Sequence, residues 1–315
     1  MIRNLCNLLD ECDLTLVTSQ PQVFDWARER NLSIVMIDTL DSLPRSVLDL
    51  CHSIEHKEKI ASLLKRSAPI KLVSIPQIAF DSSPAAMIYS CERLLAADSV
   101  GCVKEQARLL QLFGRAHRIS LTGNASSGVC NFFGELEISA FAGELFPLGM
   151  ACSAAQLFEV SLDVHDTTVT PAFEVTGIFK MSGLLMARAP DFHGKPYSVN
   201  EISSLVGMVA EAGHAEVHLK NNTISRVIVD GRDIALVLQA MTGKRGLTLT
   251  EFAIGLNKRI RSDIDWRVNS QLNEGVEGIH LGIGDGRSGL HIDLLCPTVR
   301  CAFDTEADVP ALPCI

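Results

Sequence analysis

Two imidazoles and two carboxylates set into apolar runs between residues 251 and 293 are the side chains best suited to chemistry in this chain. His291 and Asp293 stand at i and i+2 in GLHIDLL, with Ile292 and Leu294 in the alternate positions. On a strand that alternation sends the imidazole and the carboxylate to one face and the aliphatic side chains to the other. His280 has the same setting in GIHLGIGD, between Ile279 and Leu281, and Glu251 opens the run TEFAIGLN. A neutral imidazole and carboxylates converging from such positions form a donor set that zinc, iron or manganese accepts. Two histidines and one carboxylate with open positions are equally the parts of a non-haem Fe(II) triad. A lone His-x-Asp on a strand is more often structural, and it is the recurrence over neighbouring runs that favours a metal.

Other chemistry-bearing residues carry less. His214-Ala215-Glu216-Val217-His218 lacks the order of a zincin, in which two histidines at i and i+4 share a helix with a Glu beside the first. Its flanks are strand-like, so a surface strand is expected. His193 and Tyr197 sit in a Pro-flanked loop and are candidates to line a substrate site. Ser126 and Ser127, following Asn124, read as a turn without the strand–Ser–helix elbow of an activated nucleophile.

The elements that must position these residues fall into two parts. In the first, the pattern predicts strands at 14–17, 32–37 and 70–75, and helices at 21–30, 46–64, 84–97 and 99–113. Strands alternating with helices imply parallel βαβ units. The first turn, Thr18-Ser19-Gln20-Pro21, has no Gly-rich phosphate loop, so a dinucleotide-binding role lacks its fingerprint and the unit reads as scaffold. From His117 onward strand patterns dominate, at 118–122, 160–164, 183–189, 215–220 and 224–229, with turns at Asn221-Asn222 and Asp230-Gly231. Helical patterns interrupt near 200–212 and 232–241. The expected architecture is an α/β domain with a parallel sheet over 1–115, then an α+β domain with a mixed sheet over 116–315.

Bulk composition narrows the function classes. With 47% apolar and 21% charged residues over 315 positions, the chain is an ordinary globular protein of about two domains. A net charge of −9 with scattered basic residues disfavours nucleic-acid and anionic-membrane partners. Ten cysteines occur without a C-x-x-C pair, which argues for buried reduced thiols and against a zinc ribbon. Acidic residues interrupt the N-terminal run before a signal-type apolar core forms, and no apolar stretch is long enough to span a bilayer. A cytoplasmic location is expected.

The segments TEFAIGLN, GIHLGIGD and GLHIDLL, in this order, resemble the metal-binding region of the aminopeptidase T superfamily. That resemblance covers residues 117–300, with specific motifs only from residue 250 onward. It implies Glu251, His280, His291 and Asp293 as ligands of a divalent metal (Zn, Fe, Co or Mn). It also implies a further upstream Glu, best matched by Glu174 in TPAFEVTGIF, as second-site ligand or general base. The substrate would be a peptide or amino-acid amide, on a protein that tolerates homodimer formation. Relatives of the 2,5-dihydroxypyridine dioxygenase type would use only His280, His291 and Asp293, for Fe(II). The chain departs from the peptidases in two respects that bear on a two-metal arrangement: it is shorter than a typical member, and its connection between the second and third segments is tight. The short GIGDGRSG replaces a long loop that carries a Tyr, with Arg287 near the Tyr position. A non-catalytic peptide-binding protein on the same scaffold is therefore the third expectation.

Overall fold

The computed structural model describes residues 3–9, 14–141, 146–164, 171–189 and 191–305. In the first part α1 (Arg3–Leu9) precedes β1 (Leu14–Thr18), α2 (Pro21–Glu29), β2 (Ile34–Met36), β3 (Ser46–Cys51), α3 (Ile54–Leu64) and β4 (Lys71–Pro76). Helices α4 (Pro84–Ala96) and α5 (Ser99–Phe113) follow. The second part runs through β5 (Ala116–Gly123), β6 (Ser126–Phe132), β7 (Ile138–Ser139), β8 (Ala151–Ser153), β9 (Glu159–Asp163), β10 (Phe173–Lys180) and β11 (Gly183–Ala187). It continues with α6 (Val199–Ala210), β12 (Ala215–Lys220), β13 (Thr223–Val229), β14 (Arg232–Asp233) and α7 (Ala235–Met241). Strands β15 (Leu249–Gly255), β16 (Gly278–Ile283), β17 (His291–Cys296) and β18 (Arg300–Thr305) complete it.

An α/β part with a parallel sheet is thus followed by an α+β part, as the patterns predict. The parallel sheet has the order β2-β1-β3-β4-β8. Its last strand comes from residues 151–153 and pairs with β4, so the sheet crosses the boundary expected near residue 115. The second part contains two sheets, β14-β13-β12-β10-β6-β5-β18 and β11-β17-β16-β15-β9-β7. All pairings recorded in both are antiparallel. Their facing sides meet where the rings of Phe173 and Phe252 lie 6.4 Å apart between centroids.

Two local expectations are corrected. Residues 46–51 form the buried strand β3 between β1 and β4, and the helix starts only at Ile54. Every residue of β3 is buried, so a run covered on both faces shows no period that separates strand from helix. The punctuation is Ser53, whose hydroxyl accepts from the His56 amide as an N-cap. Likewise Ser126 and Ser127 begin β6, the turn lying one step earlier at Asn124-Ala125, where Ala125 has φ 54°.

The two parts are joined by polar contacts onto one segment. Gln77 Nε2 donates to the Asn269 carbonyl at 3.0 Å, Ser90 and Ser270 share a hydroxyl bond of 2.6 Å, and the Tyr89 hydroxyl donates to Asn273 Oδ1 at 2.7 Å. Burial raises the thiols of Cys51, Cys102 and Cys152 to about 12, in keeping with inert core cysteines. No helix among the described residues is long and apolar enough to cross a membrane.

Candidate metal centre

Alternation along β9, β15, β16 and β17 divides their sheet into two chemically distinct faces. Val160, Leu162, Phe252, Ile254, Ile279, Leu281, Ile292 and Leu294 are buried on the side that meets Phe173. On the other side, cross-strand pairing places Glu251 beside Gly282, Gly282 beside Asp293, and Ala253 beside His280. The same register brings in β9, with Ser161 beside Ala253 and Glu159 beside Gly255. Directly opposite residues of an antiparallel pair share a face, so the acids and imidazoles come together without chain crossing.

Contacts within the group are close. His280 Nε2 lies 3.2 Å from Glu251 Oε1 and 3.7 Å from Glu159 Oε2. His291 Nε2 lies 3.2 Å from Glu251 Oε2 and 2.9 Å from Asp293 Oδ1. Glu251, His280 and Asp293 each offer a ligand atom within 4.8 Å of the others. On the far side of the His291 ring, Nδ1 stands 3.3 Å from the Gly284 carbonyl, which can only accept. Nδ1 therefore carries a proton and Nε2 is turned toward the carboxylates, the usual outer support of a metal-binding imidazole.

Small residues keep this space open. A Cβ added at Gly282 would lie 2.8–2.9 Å from Glu251 Cβ, Asp293 Oδ1 and His291 Cε1. At Gly255, a Cβ would sit 2.0 Å from the Val276 carbonyl oxygen.

The charge balance points toward a cation. Four carboxylates, of Glu159, Glu251, Glu274 and Asp293, interact with two imidazoles in a buried setting. Burial pushes Glu159 up to about 8 against the pull of His280, and the charges of Glu251 and Asp293 add to the rise. Glu274 is held well above the usual carboxylate range by burial and by Glu159, Asp293 and Glu251. Burial opposes charge on His280, but the Glu251 hydrogen bond and the surrounding carboxylates hold it up to about 9. His291 is raised in the same way by Asp293 and Glu251. Burial works against ionised Glu251, yet hydrogen bonds from both histidines hold it far below its ordinary value. Without a cation the cluster must retain protons to offset its acids. The buried Oε2 of Glu159 and Nδ1 of His280 have no hydrogen-bond partner. A nitrogen and oxygen donor set of this composition fits a divalent transition metal.

Of the residues expected from sequence, Glu251, His280, His291 and Asp293 are brought together, and Glu174 is not. Glu174 lies on β10, in the other antiparallel sheet, paired with Asn131. Its neighbours Phe173 and Val175 are buried, and Phe173 packs on Phe252. Glu174 therefore points off the outer face of its own sheet, as Glu251 points off the outer face of the other. The interior of the sandwich separates them.

Glu159 and Glu274 are the members that sequence reasoning missed. Glu159 had a legible signal, since Glu159, Ser161 and Asp163 alternate with Val160 and Leu162 as His291 and Asp293 do with their neighbours. Glu274 follows the short turn Gln271–Asn273 and shows no pattern. Glu216 and His218 lie on one side of β12 and His214 directly precedes it, with Glu216 at 3.2 Å from the His214 ring and 2.7 Å from that of His218. The Tyr197 hydroxyl donates to the Ala240 carbonyl at 2.9 Å and His193 is exposed, so neither is joined to the cluster by any described contact.

Against this geometry, a sequence model of the family described as "Crocagin biosynthetic protein CgnE/B" matches residues 11–304. The chain belongs to that family. No curated protein matches this CgnE/B-family chain. Among solved structures it is similar to 2,5-dihydroxypyridine dioxygenase from Pseudomonas putida KT2440, at 12% identity over 99% of this chain and 95% of that one, with a TM-score of 0.49. It is also similar to wild-type AmpT from Thermus thermophilus, at 11% identity over 93% and 92% of the two chains, with a TM-score of 0.47.

Proposed function

We propose that this CgnE/B-family chain is a divalent-cation-dependent hydrolase acting on a peptide or amino-acid amide. The observation that carries this reading is the convergence of Glu251, His280 and Asp293 within 4.8 Å, with His291 joined to two of them. A divalent ion held by Glu251, His280, His291 and Asp293 would supply a bound water of lowered pKa and polarise the scissile carbonyl. Glu251 lies 3.2 Å from Nε2 of each imidazole, so its carboxylate stands where both rings would turn their lone pairs toward the ion. Glu159, whose buried Oε2 has no hydrogen-bond partner, is placed in the general-base role expected of Glu174: with a cation offsetting the neighbouring acids, its carboxylate would be ionised and could take a proton from water and return it to the leaving amine. Gly282 leaves the floor of the site free for the reacting group. The family's description as biosynthetic for crocagin supports a substrate on the way to that product.

The carboxylate-rich composition favours hydrolysis over ring cleavage, because an Fe(II) triad needs only His280, His291 and one acid. A separate observation supports a peptide-binding protein without catalysis. Asp285 closes the 284–290 turn by accepting from the amides of Arg287 and Ser288 at 2.8 Å each. Arg287 then extends outward to Asp191, at 3.2 Å between two exposed side chains, and brings no group to the cluster.

The test combines metal analysis of the reconstituted protein with turnover of aminoacyl amides, with and without chelator. The hydrolase reading expects bound metal, chelator-sensitive turnover, and loss of both in H280Q and D293N. Peptide affinity that persists without metal and in H280Q, with no turnover, would establish the binding reading instead. Oxygen consumption with a dihydroxypyridine after anaerobic iron loading would establish the dioxygenase.

A further inference from the structure

The α/β part carries a second constellation, apart from the metal centre. Its strand order β2-β1-β3-β4-β8 means that the chain reverses its direction of growth between β1 and β3. In open α/β sheets, the crevice beyond the carboxyl ends of the strands at such a switch point is where ligands bind. Ser19 directly follows β1, Asp49 stands near the end of β3, and His56 lies in the first turn of α3.

These three are linked in series. Ser19 Oγ lies 2.7 Å from His56 Nδ1, and His56 Nε2 lies 2.7 Å from Asp49 Oδ1. The second carboxylate oxygen of Asp49 accepts from Ser74 Oγ at 2.7 Å. Asp49 and His56 are buried, whereas Ser19 is only half-buried and is the outermost of the three. With the carboxylate accepting at Nε2, that nitrogen carries the proton and Nδ1 offers its lone pair to Ser19. The Ser19 hydroxyl then donates to Nδ1, while His52 Nδ1 reaches the same oxygen at 3.3 Å. Hydroxyl, imidazole and buried carboxylate stand in the order by which serine nucleophiles are activated, with the two ring nitrogens exchanged. Helix α2 starts two residues after Ser19, and Gln20 gives it no side-chain cap. The positive end of the α2 dipole thus begins two residues along the chain from the hydroxyl.

We propose that Ser19, His56 and Asp49 form a second, metal-independent acyl-transfer site that takes esters or thioesters of small molecules. In the first step Ser19 Oγ bonds to the acyl carbon and its proton passes to His56 Nδ1. The bond from the acyl carbon to the leaving oxygen or sulfur breaks, and the leaving group takes that proton. Water then repeats the sequence, giving its proton to Nδ1 and releasing the acid as Oγ recovers its hydrogen. No oxidant or reductant is required.

The experiment treats the full chain with a fluorophosphonate probe, with and without chelator, and locates adducts by peptide mass spectrometry. One adduct on Ser19 is expected, unaffected by chelator, absent in S19A, and formed about 10²-fold more slowly in H56Q. Because His56 is buried and its replacement can unfold the domain, S19C supplies a second readout. Its thiol should react with iodoacetamide at pH 6 at least about tenfold faster than a free cysteine, since a paired imidazole lowers a thiol pKa. An unlabelled Ser19 in the folded wild-type protein, or an S19C thiol no faster than free cysteine, overturns the proposal. Chelation removes the metal-dependent activity alone, so the two sites fail independently.

Discussion

At the scale of single residues, the metal centre depends on what is absent as much as on its ligands. Gly282 occupies the sheet position between Glu251 and Asp293, where a methyl group would meet three site atoms at 2.8–2.9 Å. G282A is expected to weaken cation affinity at least about tenfold and to cost about 1–3 kcal/mol of stability through overpacking. Titration calorimetry and urea unfolding would check the two effects. Glu159 and Glu174 form a matched pair of tests, since both are partly buried residues of antiparallel strands and only Glu159 faces the imidazoles. E159Q should lower cation affinity and turnover, whereas E174Q should leave both unchanged and shift stability by no more than about 0.5 kcal/mol. Equal effects of the two substitutions would contradict the placement of the site on one outer face.

At the scale of elements, the segment between β15 and β16 is the part that the α/β unit holds in place. Asn273 accepts from the Tyr89 hydroxyl and donates to the carbonyls of Val268 and Asp265, at 2.9 and 3.2 Å. Glu274 comes next in sequence and is one of the buried acids of the cluster. N273A should destabilise the protein by about 1–3 kcal/mol, because it removes the acceptor of the part-buried Tyr89 hydroxyl and one of the two donors to each of the Val268 and Asp265 carbonyls. It should also lower cation affinity through loss of order at Glu274, measured on the folded variant. Unchanged affinity would show that Glu274 is positioned independently of this clamp.

For the whole molecule, the buried charges set a pH dependence whose sign follows from proton counting. Glu159 titrates at about 8 in the folded protein against an ordinary 4.5, and His280 at about 9 against 6.5. Between those limits the folded state holds more protons than the unfolded chain, so stability falls as pH rises. The cost of ionising Glu159 grows from pH 4.5 to about 8, and the stabilisation from charged His280 is complete below 6.5 and lost through about 9. Glu251, held far below its ordinary value, contributes stability above pH 4.5 that is lost only in acid. Metal-free protein should therefore melt at a lower temperature at pH 9 than at pH 6. A saturating divalent cation should raise the melting temperature more at pH 9, because binding competes with those protons and stabilises only the folded state. Thermal scans across this range, with and without cation, are the check.

The sequence by itself determined the α/β-then-α+β order and the alternation that puts Glu251, His280, His291 and Asp293 each on the polar face of its own run. Each of these rests on a period of two in runs with one buried face, and such a period says which side chains share that face. It also carried the signal for Glu159, in the same alternation as the others. What it did not determine were the helix–strand choice at 46–51, where burial on both faces erases the period, and the sheet to which each strand belongs. Pairing between distant strands is a tertiary property: it sent Glu174 to the far side of the sandwich and carried residues 151–153 into the first sheet. Glu274 and the Ser19–His56–Asp49 series likewise became visible only in three dimensions. Their members come from different elements, and no local periodicity records a meeting between segments that fold back on one another.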